Sequence, residues 1–250
     1  MRRLVLLVLA LVLLGGGAAT ADPRVIGGAR VSIADHPWVV FLVDASGRQF
    51  CGGTLVARDK VLTAAHCASG HAPRVSAVVV GREDKNETGQ GVAAPVRQVW
   101  THPQFTSAER GSDVAVLTLG TPVDAAPLPL ADDPDLYRAG TPAFALGWGR
   151  TAELAPPSRY LMGVVVPLVA DDSCGQSYGQ YDAGTMVCAG LPDGGADTCQ
   201  GDSGGPLVVA GRLVGVTSWG EGCARRGKPG IYARVLAYRE LIEQQLHTEE

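Results

Sequence analysis

The chain has 250 residues, 46% of them hydrophobic and 18% charged, with 33 glycines and 16 prolines, a composition that fits one globular unit or two small packed subdomains with many turns. Its formal charge of −4 is carried without basic runs, which argues against nucleic acid as a partner.

Met1-Arg2-Arg3 is followed by an uncharged run from Leu4 to Leu14, shorter than the roughly 20 apolar residues that span a bilayer. Ala19-Thr20-Ala21 supplies a small-x-small cleavage pattern, so residues 1–21 read as a signal peptide. The expected product is secreted and extracellular, with no membrane attachment after signal cleavage. Export also makes the six cysteines (Cys51, Cys67, Cys174, Cys188, Cys199, Cys223) candidates for three disulfides rather than metal ligands, because the compartment is oxidising and no Cys-x-x-Cys pair occurs. Six cysteines allow fifteen pairings, and spacing alone does not choose among them. Residues 22–24 look like a disposable spacer ending in Arg24, with Val25-Ile26-Gly27-Gly28 as the new terminus. Removing residues 1–24 takes away three arginines and one aspartate, leaving 18 basic and 24 acidic side chains and a net charge of −6.

Short Val/Ile/Leu/Thr-rich runs then alternate with Gly/Pro/Asp punctuation: Trp38 to Val43, Thr54 to Ala57, Lys60 to Ala64, Val75 to Val80, Val96 to Trp100 and Val114 to Leu119. Strands of this length and spacing predict a barrel or sandwich. Five prolines between Gly120 and Pro142 suit a connecting strap. A second set of strands is expected at Ala143 to Leu146, Met162 to Leu168, Pro206 to Val209, Arg212 to Trp219 and Gly230 to Arg234. Val235 to Leu246 has a helical period, with Val235, Tyr238, Leu241, Ile242 and Leu246 on one face. A shorter helix is expected near Asp171 to Tyr181, capped by Asp171-Asp172-Ser173.

The stretch Asp197-Thr198-Cys199-Gln200-Gly201-Asp202-Ser203-Gly204-Gly205-Pro206 is material for a tight loop, not a helix or strand. Such a loop offers a hydroxyl as nucleophile and the N–H groups of Gly201 and Ser203 as donors for an oxyanion. A hydroxyl needs a base, usually a histidine held by a third group. Of the five histidines, His66 stands out, because it follows an apolar segment and precedes Cys67. His36 and His102 precede prolines and read as turn residues, and His71 and His247 sit in polar surroundings. Asp113 is the candidate third group, since it opens the apolar strand Val114-Ala115-Val116-Leu117, where an acid is costly to bury without partners.

Thr63-Ala64-Ala65-His66-Cys67, Asp113-Val114-Ala115-Val116-Leu117, Gly147-Trp148-Gly149, the serine loop and Ser218-Trp219-Gly220 resemble, in order and spacing, the chymotrypsin-like serine proteases, most closely the trypsin branch. The resemblance covers residues 25–246. It implies an all-β fold of two six-stranded antiparallel barrels with a C-terminal helix: an N-terminal barrel at about 25–120, a strap at about 121–142, and a C-terminal barrel and helix at about 143–246, within a peptidase domain of residues 25–250. It implies catalytic roles for His66, Asp113 and Ser203, an oxyanion hole from Gly201 and Ser203, and the pairings Cys51–Cys67, Cys174–Cys188 and Cys199–Cys223. Asp197, six residues before Ser203, matches the carboxylate that binds Arg or Lys side chains, with Thr198, Gln200, Ser218, Trp219, Gly220 and Gly230 as substrate-binding positions, and Tyr178 and Tyr232 also where that pocket is built. Cleavage after Arg24 would free the Val25 ammonium to pair with Asp202, so the precursor is expected to be a zymogen.

The implied partners are protein or peptide substrates with Arg or Lys at the cleavage site, and protein protease inhibitors; the enzyme is expected to be a monomer without a cofactor. Some trypsins hold calcium in a loop that corresponds to Gly81 to Gly89, but Arg82 stands in place of a ligand and Lys85 interrupts the acids, so a solvated loop without metal is expected. Asn86-Glu87-Thr88 matches a glycosylation acceptor. The competing reading is a catalytically inactive homologue serving as a binding protein, against which the full set Ser203, His66 and Asp113 speaks.

Overall fold

The structure, a computed structural model, describes residues 26–70 and 74–248. The expectations for the signal peptide, for Arg24 and Val25 and for His71 lie outside the described residues.

The first six long strands, β2 (Val39–Val43), β3 (Gln49–Ala57), β4 (Lys60–Thr63), β5 (Ala77–Val80), β6 (Val92–Thr101) and β7 (Ala115–Leu119), close into an antiparallel barrel in the order β2-β3-β4-β7-β6-β5. Their β-branched runs favour extended backbone, and closure leaves no unpaired edge. β2 and β7 are buried along their whole length. In β6, Pro95 cannot donate to the ladder, but its carbonyl accepts from the Gly120 N–H at 2.8 Å.

The second sheet has the order β1-β9-β8-β11-β12-β13-β10 and is also antiparallel. It comprises β8 (Pro142–Gly147), β9 (Met162–Pro167), β10 (Met186–Ala189), β11 (Pro206–Val209), β12 (Arg212–Trp219) and β13 (Gly230–Arg234), with the two-residue β1 (Ala29–Arg30) added beside β9. A bridge between Leu168 and Ala189 joins the end of β9 to β10, so the six long strands curl towards a second barrel. The predicted all-β architecture is present, with β1 and β10 as strands that the run pattern did not anticipate.

Among the described residues three α-helices, α1 (Ala65–Ala68), α2 (Asp171–Ser177) and α3 (Val235–Leu246), and two short 3₁₀ turns accompany the strands. α3 buries Val235, Tyr238 and Ile242, as its period predicts. α2 differs from expectation at its start: the cap residue is Ala170, without a side-chain cap, and Asp171 and Asp172 lie inside the first turn, where carboxylates favour the positive end of the helix dipole. The strap holds to the second sheet through Leu130, which bridges to Leu213. Among the described residues no helix is long and apolar enough to cross a membrane.

All six cysteines are paired, Cys51 to Cys67, Cys174 to Cys188 and Cys199 to Cys223. His102 is more than a turn residue: it is buried, its ring stacks edge-on to Tyr238, and its Nδ1 accepts from the Gln104 N–H. His36 packs between Trp38 and Phe144.

Candidate active site

His66 stands on the single turn of α1, directly after β4, and Cys67 ties that turn to β3. Asp113 is 1% exposed. One of its oxygens accepts the His66 backbone N–H at 2.8 Å, and the other faces His66 Nδ1 at 2.8 Å and accepts the Ser218 hydroxyl. Three donors therefore offset the cost of burying the carboxylate. Burial, the largest single influence on His66, favours neutral imidazole. The hydrogen bond to Asp113 and the charges of Asp113 and Glu109 together outweigh it and raise the pKa above its ordinary 6.5. Cys51, His66 and Cys67 bring three potential metal-ligand atoms together, but both sulfurs are spent in the disulfide, which leaves no thiolate to coordinate an ion.

Ser203 lies across the crevice on the loop before β11. Its carbonyl accepts the Gly52 N–H at 2.8 Å, while the Gly204 N–H donates to Thr217 at 2.7 Å, so the loop is pinned to both sheets. His66 and Ser203 line adjoining cavities that share Ser218 and Trp219. No hydrogen bond joins their side chains, and His66 Nε2 lies 3.6 Å from Cys67 Sγ; catalytic contacts commonly tighten only in the substrate complex. Among the described residues, neither the Gly201 nor the Ser203 N–H is engaged by an internal acceptor, as an oxyanion site requires.

Asp202 between them points inward and is fully buried. Its carboxylate accepts from the Gly149 N–H at 2.7 Å and the Cys199 N–H at 3.0 Å. The Gly-Trp-Gly motif makes room for it: a Cβ on Gly147 or Gly149 would fall 2.1 or 2.4 Å from an Asp202 carboxylate oxygen. Burial pushes the Asp202 pKa up to about 6, against the two N–H donors and the Lys85 charge. Such a group is a strong acceptor for a further cation.

A cavity of about 180 Å³ runs from Ser203 down to Asp197. Every predicted substrate-binding residue (Asp197, Thr198, Gln200, Ser218, Trp219, Gly220 and Gly230) lines it, and Gly222 and Thr217 join them. Asp197 is 3% exposed and accepts from the Thr198 N–H at 2.8 Å and the Ala224 N–H at 3.0 Å. Burial drives its pKa up to about 7, opposed by those hydrogen bonds and reinforced by the Asp202 charge. Gly230 keeps the passage open, since a Cβ there would lie 2.6 Å from Asp197 Oδ1. Tyr178 and Tyr232 do not line the cavity but contact residues around it: the Tyr178 hydroxyl donates to the Pro229 carbonyl at 2.9 Å, and the Tyr232 hydroxyl is 3.3 Å from Thr198 Oγ1.

The loop at Gly81 to Gly89 is not simply solvated, and its donors do not suit calcium. The Arg82 guanidinium donates to the Gln90 and Thr88 carbonyls at 2.8 and 3.1 Å, Glu83 pairs with Arg30 at 2.9 Å, and Asp84 pairs with Arg159 at 2.7 Å. The Glu83 and Asp84 carboxylates, the oxygens a hard cation would favour most, are thus already engaged by guanidinium groups. Asn86 is exposed on the same loop.

A family model described as Trypsin matches residues 25–242. The chain is 50% identical over 224 residues to a trypsin of Saccharopolyspora erythraea, covering 89% of this chain and 98% of that one. It is 37% identical to the vitellin-degrading protease of Bombyx mori over 90% of this chain and 86% of the other. It is also 36% identical to trypsin 5G1 of Aedes aegypti, over 91% and 86%. With matches of this extent falling on a double-sheet fold whose crevice gathers His66, Asp113 and Ser203, the chain belongs to the trypsin family of serine proteases.

Proposed function

We propose that this protease is a secreted endopeptidase that cleaves after Arg or Lys through an acyl-enzyme and is made as a zymogen. The observation that carries the specificity is Asp197, a buried carboxylate at the closed end of the cavity that opens at Ser203. An Arg or Lys side chain reaching it would supply the missing counter-charge. In the reaction Ser203 Oγ attacks the scissile carbonyl while His66 Nε2 takes its proton, and the developing oxyanion falls to the Gly201 and Ser203 N–H groups. The protonated His66, held by Asp113, then gives the proton to the leaving amine. Water, activated by His66, releases the acyl group by the same steps in reverse.

Asp197→Ser should lower cleavage after Arg and Lys on the order of 10²–10³-fold or more, the scale of removing one partner of a desolvated charge pair. Ser203 should stay reactive towards small acylating reagents. Near-normal cleavage after Arg, measured by profiling a peptide library, would remove Asp197 from this role. Failure of Ser203 to label at all after removal of residues 1–24 would favour the inactive-homologue reading.

Activation at Arg24 is supported by two features. Asp202 is buried with its charge answered only in part, and Ile26 is bridged to Asp197, whose N–H donates to the Ile26 carbonyl at 3.2 Å. Ile26, the second residue of the expected new terminus, is thereby tethered to the loop that carries Asp202. Because the bond broken follows an arginine, the enzyme can activate itself. Purified precursor carrying Ser203→Ala should keep residues 22–24 on incubation; their spontaneous loss would mean that another protease makes the cut.

A further inference from the structure

The loop between β5 and β6 reaches the oxyanion loop through a lysine that the family's catalytic apparatus does not call for. Lys85 Nζ donates to Gln49 Oε1 at 2.6 Å and to the Trp148 carbonyl at 3.4 Å. Gln49, at the head of β3, uses its amide nitrogen to donate to the Gly201 carbonyl at 2.9 Å. A cation, an amide and a peptide group thus form one chain that crosses from the first barrel to the second sheet.

The polarity of this chain is dictated by the lysine. An ammonium donates and never accepts, so Oε1 must face Lys85 and only Nε2 is left for Gly201. Turned the other way, the amide would set its oxygen against the Gly201 carbonyl and its NH₂ against the ammonium. Gly201 has φ of +100°, a conformation that glycine enters and leaves at little cost, so hydrogen bonds orient the peptides on either side of it, and in the one that follows the Asp202 N–H donates to the Cys199 carbonyl at 3.0 Å. Gln49 holds the peptide after Gly201, and the Arg150 N–H, 2.9 Å from the Gln200 carbonyl, holds the peptide before it. The Lys85 pKa is pushed down to about 8 by burial, with the Asp202 charge acting the other way, which marks the ammonium as partly desolvated.

We propose that Lys85 is a positioning residue for the oxyanion hole, acting through Gln49: it fixes the amide that fixes the Gly201 carbonyl, and with it the peptide that joins the two units bearing the Gly201 and Ser203 N–H groups. This rests on the reading of those two N–H groups as oxyanion donors. Lys85 touches no reacting atom, and its effect belongs to the transition state, where charge develops on the substrate oxygen.

The test uses the processed enzyme and a chromogenic peptide amide that the wild type cleaves, with Lys85→Met, Gln49→Leu, their double variant, Lys85→Arg and Ser203→Ala prepared identically. Lys85→Met and Gln49→Leu should each lower kcat about tenfold with KM changed by less than about twofold, a partial loss beside the ~10²–10³ of deleting an oxyanion donor outright. The double variant should be no slower than the slower single, because both break one chain. Lys85→Arg should recover kcat to within about threefold, since a guanidinium also only donates. Full kcat in Lys85→Met, losses that multiply in the double variant, or KM rising in step with the fall in kcat would each overturn the proposal. If Lys85→Met fails to fold, Gln49→Leu and Lys85→Arg still decide it by the same criteria. Turnover surviving Ser203→Ala would bring down the catalytic reading and this inference with it. A dead Ser203→Ala beside an unimpaired Lys85→Met would bring down this inference alone.

Discussion

His66 is held between opposing influences: burial disfavours its cation, and the carboxylate at Nδ1 favours it more. In the proposed mechanism His66 is the general base and must be neutral to accept a proton, so with its pKa raised activity should be lost as pH falls through a value above the ordinary 6.5. Asp113→Asn removes the carboxylate that supplies the hydrogen bond and one of the two charges that do the raising. The acid limb of kcat/KM should therefore move to lower pH, and kcat should drop about 10⁴-fold, the scale measured for this change in related triads. A pH–rate profile checks both, and a limb that does not move in the variant would show that Asp113 does not set the charge on His66. Asp113 is legible in the sequence because an acid opening an all-apolar strand needs partners to be there at all. Lys85 and Gln49 are not, since a lysine in a polar loop and a glutamine before a strand are ordinary in sequence, and their importance comes from touching each other.

At the scale of elements, α3 does more than cover the sheet. Its Tyr238 hydroxyl accepts the Ser112 N–H at 2.8 Å, and Ser112 carries φ of +54° beside Asp113, a left-handed conformation uncommon for a residue with a side chain. The helix thus braces the turn that carries Asp113. Tyr238→Phe leaves that N–H unpaired and should cost about 1–3 kcal/mol, read as a lower midpoint in urea, with kcat falling more than KM changes. Unaltered stability and kcat together would show that the turn holds itself.

Several element boundaries were legible and others were not, for identifiable reasons. β11, β12, β13 and α3 match their predicted bounds because each is an apolar run or period bounded by Gly, Pro or a change of pattern. β3 starts earlier than expected, at Gln49, because Gly52 and Gly53 read locally as a turn. They are in fact strand residues whose missing side chains admit neighbours: a Cβ on Gly53 would meet Val61 at 2.8 Å. β6 begins at Val92 although Pro95 interrupts it, since β5 pairs with that end. β1 and the one-turn α1 are too short to carry a period of either kind.

For the molecule as a whole, the two sheets contribute different halves of one site, and the disulfides fasten the contributing loops. Cys199–Cys223 closes a separation of 24 residues and borders the cavity on two sides. Replacing both cysteines by alanine should cost about 3 kcal/mol by loop-closure entropy. In a protein of this size that is roughly 6–12 °C in Tm. The loss should fall more heavily on substrates with Arg or Lys at the cleavage site than on acylation by small reagents, because Asp197 and Ala224 lie next to the bridge. Equal loss on both would mean that the bridge supports the fold and not the cavity.

By itself the sequence determined the residue types and their order: an apolar alternation that must become strands, a glycine-rich loop that cannot, a base beside a cysteine and an acid at the mouth of a strand. Those follow from backbone sterics and the cost of burying charge, which act locally. The cysteine pairing was implied by the family resemblance and not by spacing; the tertiary structure alone decided that Asp202 turns inward between two glycines and that a lysine of one barrel reaches a peptide of the other. Such contacts join residues far apart along the chain, and their geometry is set by how the sheets close and pack, a property that no short stretch carries.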